Sequence, residues 1–311
     1  MLIIYISVKS EGGRGVGYSV SHGFAVDSRV FDLHTHSSAS DGLLKPAELV
    51  KRAHSRVSGI ALTDHDSTLG WAEALSAGDT LGFPVIPGLE FTTDFGQHEV
   101  HILAYFIETD HPALASALTR VADDRLARAR EMVDKLNGLG IPLAWEAVRR
   151  QAPGAYIGRP HIVRALISSR LIRQSATDDF FREYLVSGAP AYVAHEEIST
   201  QQAVALTLAA GGVPVLAHPG RMLADTDLLP LLVSWGLGGI ETYYPSHGPA
   251  EITNLIGLAG QYNLVITGGS DFHGDPNGSR LGDGSVNFNA VEELALRATG
   301  NAGTRFLQGE R

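Results

Sequence analysis

Apolar and polar positions fall into alternating blocks along this chain. Short apolar runs at Val30–Leu33, Gly59–Leu62, Pro84–Ile86, Val100–Phe106, Val213–Ala217, Gly239–Glu241 and Leu264–Thr267 predict strands. Amphipathic stretches at Pro46–His54, Leu69–Leu81, Thr200–Ala210, Leu228–Trp235 and Pro249–Tyr262 predict helices between them. Strand followed by helix, repeated, implies an α/β fold with a parallel sheet covered by helices. Residues 108–195 break the alternation. Leu118, Val121, Leu126, Ala129, Val133 and Leu136 recur at helical spacing, and Gly138-Leu139-Gly140 ends that helix. Leu143–Gln151, His161–Ser169 and Asp178–Leu185 predict further helices. The expected organisation is a barrel over 30–107 and 196–311, with a helical insertion over 108–195 capping its mouth. Residues 1–29 are expected to be a flexible or extended segment, Gly- and Ser-rich from residue 9 onward.

Composition narrows this picture. The chain has 311 residues, 44% apolar and 19% charged, enough for one large barrel or two domains with a sizeable core. Its net charge of −10 argues against broad binding to duplex DNA or to a membrane surface. It leaves room for a small anionic substrate in a locally positive pocket. With no cysteine there is no disulfide, no thiolate metal site and no cysteine nucleophile. No apolar stretch reaches the ~20 residues of a membrane-spanning helix. Met1 to Val8 read as a strand or extended leader and not as a signal peptide, so a cytoplasmic location is the default expectation. The pattern fixes no oligomeric state.

The chemistry lies where the apolar runs stop. His34 and His36 alternate along a strand and point to one side, and Asp41 follows in a loop. Thr63-Asp64-His65-Asp66 comes after Ile60–Leu62; Asp66 or Ser67 is expected to cap the next helix, and an acid beside His65 to fix its tautomer. Glu90 ends another run, with the capacity to bridge two cations. His101 opens the strand to Phe106 and is preferred to His98 and Glu99, which read as surface residues. His218 follows Val215–Ala217, and Asp271 and His273 follow Leu264–Thr267. Six of the 13 histidines fall in this set, too many at one kind of position for a group of packed core imidazoles. Imidazoles and carboxylates at successive strand ends suit hard or borderline divalent cations.

The ordered motifs HxH…D, TDHD, GxE, H, AHPG and SDFH, over about residues 30–290, resemble the polymerase-and-histidinol-phosphatase (PHP) family of metal-dependent phosphoesterases. The resemblance implies a distorted (β/α)7 barrel with two or three divalent ions, Mn²⁺ foremost and Zn²⁺, Fe²⁺ or Mg²⁺ as alternatives. One ion would take His34, His36, Glu90 and Asp271. A second would take Asp41, His65 and His273, and a third Glu90, His101 and His218. The insertion, with Gly158-Arg159-Pro160-His161, is similar to the subgroup that dephosphorylates nucleoside 3′,5′-bisphosphates and trims short RNA from its 5′ end. The expected chemistry is attack of a metal-activated hydroxide on phosphorus. Arg159, at a helix N-terminus, is expected to bind phosphate. His195 is expected to touch substrate, Arg221 to offer a weaker phosphate contact, and Asp66 or His195 to move the proton.

Three alternatives stand beside this reading. A histidinol-phosphate phosphatase would share the site. A catalytically silent metal- or nucleotide-binding module would usually lack ligands that this chain keeps. An amidohydrolase with a carboxylated lysine would need a lysine at a central strand end, and none of Lys9, Lys45, Lys51 and Lys135 occupies one.

Overall fold

A computed structural model describes residues 5–9, 17–21, 28–95, 98–108, 110–152, 154, 156–194, 198–220, 228–276 and 278–309. Most of 1–29 lies outside these residues. Within that stretch, β1 (Tyr5–Lys9) and β2 (Gly17–Ser21) pair antiparallel.

The main sheet uses all seven expected strands: β3 (Val30–Thr35), β4 (Gly59–Leu62), β5 (Val85–Phe95), β6 (His98–Tyr105), β7 (Val213–Leu216), β8 (Gly239–Tyr243) and β9 (Val265–Gly268). A two-residue strand, β10 (Val286–Asn287), pairs with the outer side of β3. The ends of β3 and β9 close on each other: Asp271 N–H donates to the His34 carbonyl and His36 N–H to that of Phe272, both at 2.9 Å. Gly269 permits this approach, because a Cβ there would stand 2.4 Å from the His34 backbone. The result is a nearly closed, distorted (β/α)7 barrel.

The sheet departs from the all-parallel expectation at two strands, the short β10, antiparallel to β3, and β6. β6 runs antiparallel to both β5 and β7. Only two residues separate β5 from β6, and so short a link allows only an antiparallel return. Pairing with β6 carries β5 on to Phe95, well past its parallel contact with β4, which ends at Pro87. Glu90 and His101 therefore lie inside strands, not at the ends where the pattern placed them.

Alternate residues along the strands enter two apolar clusters. Ile60, Leu62, Ile102, Leu216 and Ile240 pack under α1 (Pro46–His54), α2 (Trp71–Leu81), α7 (Thr200–Ala209), α8 (Leu228–Trp235) and α9 (Pro249–Tyr262). Ala61, Leu103, Tyr105 and Val215 share a second cluster with α10 (Phe288–Arg297). A strand buried on both faces needs a continuous apolar run, which is why these strands were visible in the sequence.

The region after β6 is helical, as expected. α3 (Pro112–Gly138) is a single 27-residue helix that belongs to both regions. Leu114 and Ala117 pack into the barrel core. Ala129, Met132, Val133 and Leu136 join a separate cluster with α4 (Trp145–Gln151) and α5 (Arg159–Ser168), completed by Phe180, Leu185 and Val193. The passage from barrel to cap thus falls inside a helix and not at its start. Among the described residues no helix is long and apolar enough to cross a membrane.

Candidate metal centre

Of the eight other residues expected as ligands, five approach the side chain of Glu90, and Asp41, Asp271 and His273 stand against those histidines or one another. Glu90 Oε2 lies 3.1 Å from His34 Nε2, 3.2 Å from His36 Nε2 and 3.3 Å from His65 Nδ1. Oε1 lies 2.8 Å from His101 Nδ1 and 3.1 Å from His218 Nε2. One carboxylate with no solvent exposure therefore faces five imidazoles. Asp271 Oδ1 stands 3.0 Å from His36 and 3.5 Å from His34. Asp41 Oδ1 lies 3.2 Å from His273 Nε2. Ligand atoms fall into three tight groups: His34, His36, Glu90 and Asp271; His36, Asp41, His65 and His273; and His65, Glu90 and His101.

These residues fit divalent cations on the chemistry of the site itself. Nδ1 of the buried His36 ring has no hydrogen-bond partner among the described residues, while its Nε2 faces Asp271 at 3.0 Å and Glu90 at 3.2 Å. A buried polar atom without a partner is unfavourable unless something else satisfies it. The electrostatics point the same way. Burial disfavours the His36 imidazolium, yet Asp271 and Glu90 raise its pKa to about 10. Glu90, helped by Glu99, likewise raises His101 to about 10 against burial. Burial prevails at His65, which is pushed down to about 3. Glu90 and Asp41 stay well below the usual carboxylate range despite burial, because histidines surround them. The field of buried carboxylates demands compensating positive charge, which protons or cations can supply. Backbone strain concentrates here too: Asp66, His218 and Asp271 hold φ values of 45°, 24° and 52°.

The comparisons with known proteins agree with this geometry. A family model described as the PHP domain matches residues 32–141. A 3′,5′-nucleoside bisphosphate phosphatase from Chromobacterium violaceum is 38% identical over 80% of this chain and 89% of its own length. The chain belongs to the PHP-domain family. A 5′-3′ exoribonuclease Rnm from Salmonella typhimurium is 36% identical over 78% of the chain and 85% of its own length. A solved structure from Bifidobacterium adolescentis, assigned as a metal-dependent phosphoesterase, superposes with a TM-score of 0.81 at 30% identity. It covers 89% of this chain and 99% of its own. This PHP-domain protein is accordingly a metal-dependent phosphoric ester hydrolase. The lysine-dependent amidohydrolase alternative gains nothing from the structure: Lys45 and Lys51 are exposed, and Lys135 donates to the Tyr192 carbonyl.

The structure also shows what supports the ring. Glu241, on β8, is fully buried. It accepts from His34 Nδ1–H at 3.0 Å and from the His218 backbone N–H at 2.7 Å. Glu99 takes the outer nitrogen of His101 at 3.2 Å. A carboxylate behind a ligating imidazole fixes its tautomer and orientation. Sequence reading placed Glu241 in a strand without giving it a role and left Glu99 on the surface. A usable signal was present at Glu241, the acid that closes the apolar run Gly239–Glu241 in the sequence. Asp32 and Asp64 anchor the loops. Asp32 accepts from Ser270 N–H and Oγ–H at 2.8 and 2.6 Å and from Gly282 N–H at 2.9 Å. Asp64 accepts from Ser37 N–H and Oγ–H, both at 2.7 Å, and from Ser40 Oγ–H at 2.6 Å.

Other expectations change. α2 begins after Gly70 with no side-chain cap, so neither Asp66 nor Ser67 caps it. Neither acid flanking His65 holds it; its Nδ1 meets Thr92 Oγ1 at 3.2 Å. Both oxygens of Asp66 are engaged: Oδ2 pairs with buried Arg125 and Oδ1 accepts from Thr92 N–H at 3.2 Å. Arg159 does stand at the start of α5, but its guanidinium is held by Glu99 at 2.5 Å and lies over the Phe181 ring. His195 and Arg221 lie outside the described residues.

Proposed function

We propose that this protein hydrolyses a phosphate monoester of a small nucleotide, converting a nucleoside 3′,5′-bisphosphate to the 5′-nucleotide and phosphate, and that it also trims short 5′-phosphorylated RNA. The observation that carries the reading is Glu90, a buried carboxylate shared by five imidazoles, with Asp41 and Asp271 completing the ring. The kinship with a nucleoside bisphosphate phosphatase and a 5′-3′ exoribonuclease supports the nucleotide and RNA substrates.

His34, His36, Glu90 and Asp271 would hold one ion, Asp41, His65 and His273 a second, and Glu90, His101 and His218 a third, with Mn²⁺ the first choice. Bound divalent cations supply Lewis-acid activation of a water and charge for the phosphoryl oxygens. The chain's own contribution is orientation. Glu241 takes the Nδ1 proton of His34, and Glu99 the Nε2 proton of His101, so that each opposite nitrogen faces the centre. The water oxygen joins phosphorus, the P–O ester bond breaks, and the leaving oxygen takes up a proton. Asp66 does not serve that proton, because Arg125 and Thr92 occupy its carboxylate. His195 is the proposed donor. Arg159 and Arg221 are proposed phosphate contacts.

A phosphate-release screen with Mn²⁺ tests the reading. It compares 3′,5′-bisphosphonucleosides, 5′-phosphorylated oligoribonucleotides and histidinol phosphate. Highest kcat/KM on the bisphosphonucleosides is expected; highest kcat/KM on histidinol phosphate would overturn the substrate assignment.

A further inference from the structure

Beside the Asp41–His273 edge of the ring lies a pocket of about 560 Å³ between the barrel loops and the cap. That is within the ~300–1,000 Å³ range of small-molecule sites. Its wall on the α5 side is apolar, built from Pro160, Val163 and Ile167, with Phe181 beyond them. A group whose phosphate sits on the ring would lie in this pocket with its remainder against that wall.

The pocket contains one cation among its lining residues, Arg164. Its Nη1–H donates to the Asp41 carbonyl at 2.8 Å, so the guanidinium is fixed on the backbone of a ring residue. Among the described residues Arg164 forms no ion pair as close as those of Arg159 and Arg125; the Asp41 and Asp275 charges act on it from outside that range. The other arginines near the site differ. Arg159 is neutralised by Glu99 and Arg125 by Asp66. A phosphate arriving at either must first displace a carboxylate, whereas at Arg164 it need not. The guanidinium fork suits a phosphate in bidentate geometry.

We infer that this pocket holds the leaving part of the substrate and that Arg164, not Arg159, receives a second phosphate carried on it. This rests on the monoester reading above and adds to it the residue that distinguishes a bisphosphate from a monophosphate. The wall offers shape and stacking but few base-edge hydrogen bonds, so the identity of the base matters little.

The test is the ratio of kcat/KM for 3′,5′-bisphosphoadenosine to that for 3′-AMP, with Mn²⁺. Wild type should favour the bisphosphate about 10- to 100-fold, the scale of hydrogen bonds to a charged group. In Arg164→Gln the ratio should fall to near one, mainly through KM. Arg164→Lys, which keeps the charge and loses the fork, should fall between and serves if the glutamine variant does not fold. Arg159→Gln, at a proposed contact of the transferred phosphate, should lower both kcat/KM values together and leave their ratio largely intact. An unchanged ratio in the Arg164 variants, or an equal fall of the ratio in Arg159→Gln, would overturn the assignment. A wild-type ratio near one would overturn the inference alone. Failure of the wild type to release phosphate from either nucleotide would overturn the monoester reading beneath it.

Discussion

The barrel mouth and the cap meet at the same site but are built on opposite terms. The mouth gathers nine ligand-type side chains, most of them buried, around Glu90, and braces them with Asp32, Asp64 and Glu241, each without solvent exposure. The cap offers arginines, and all but Arg164 among those near the site already hold a carboxylate. The mouth is strained and charge-frustrated, as a site made to be completed by cations would be. In the cap, Arg125 and Arg159 are each neutralised by a carboxylate. The contrast assigns the chemistry to the mouth and selectivity to the cap, and substitutions on each side can break that division.

The largest effect is expected at the mouth. Glu90→Gln should lower kcat/KM about a thousandfold or more, the scale of losing a Lewis acid worth several kcal/mol to the transition state. A loss below tenfold would move the chemistry elsewhere. Next comes the Asp66–Arg125 pair, which ties mouth to cap. Asp66→Asn leaves a buried guanidinium short of its partner and should destabilise the fold by about 3–5 kcal/mol in denaturant titration. The pH profile of kcat should keep its shape. A lost limb would return Asp66 to the proton path.

Glu241→Gln keeps the volume of the side chain and removes the anion behind His34. It should weaken metal binding about 10- to 100-fold by equilibrium dialysis. An unchanged affinity would make Glu241 a packing residue only.

Acidity sharpens the same point. His36 and His101 have pKa values near 10 in the metal-free protein, so at neutral pH cations must displace protons there. Metal affinity should rise with pH, about tenfold per unit for each proton displaced. The sign reverses for the metal-free fold. A histidine pKa raised above its unfolded value of about 6.5 stabilises fully below that pH, and the gain is lost as pH climbs through 10. Thermal melts should therefore show the metal-free protein losing stability between about pH 6.5 and 10 and the metal-loaded protein losing less. Parallel melts would contradict this. The smallest effect belongs to the half-exposed Glu99–Arg159 pair. Breaking it with Arg159→Gln should cost ~1 kcal/mol of stability or less in a thermal melt.

The two regions also differ in how far the sequence reveals them. Strands buried on both faces write themselves as apolar runs, so all seven were legible together with the residues that end them. The antiparallel β6 was not, since periodicity carries no strand direction, and Glu90 and His101 were misplaced within their strands for that reason. Glu241 looked like any strand-end acid until its distance to His34 was known. In the cap, helical spacing showed the helices but not their pairings. Arg159 sits at a helix start and looked available, yet Glu99, 60 residues earlier, holds it. Arg164 lay on the same helix without any sequence cue that it lacks a carboxylate. Only the fold tells a paired arginine from an unpaired one.

The most direct test of the central claim is the metal content of the dialysed protein, measured by elemental analysis after Mn²⁺ loading, in wild type and in Glu90→Gln. Two or three divalent ions per chain are predicted for the wild type and one or none for the variant. A wild type that retains no ions, or a variant that retains as many as the wild type, would contradict a multinuclear centre organised on Glu90.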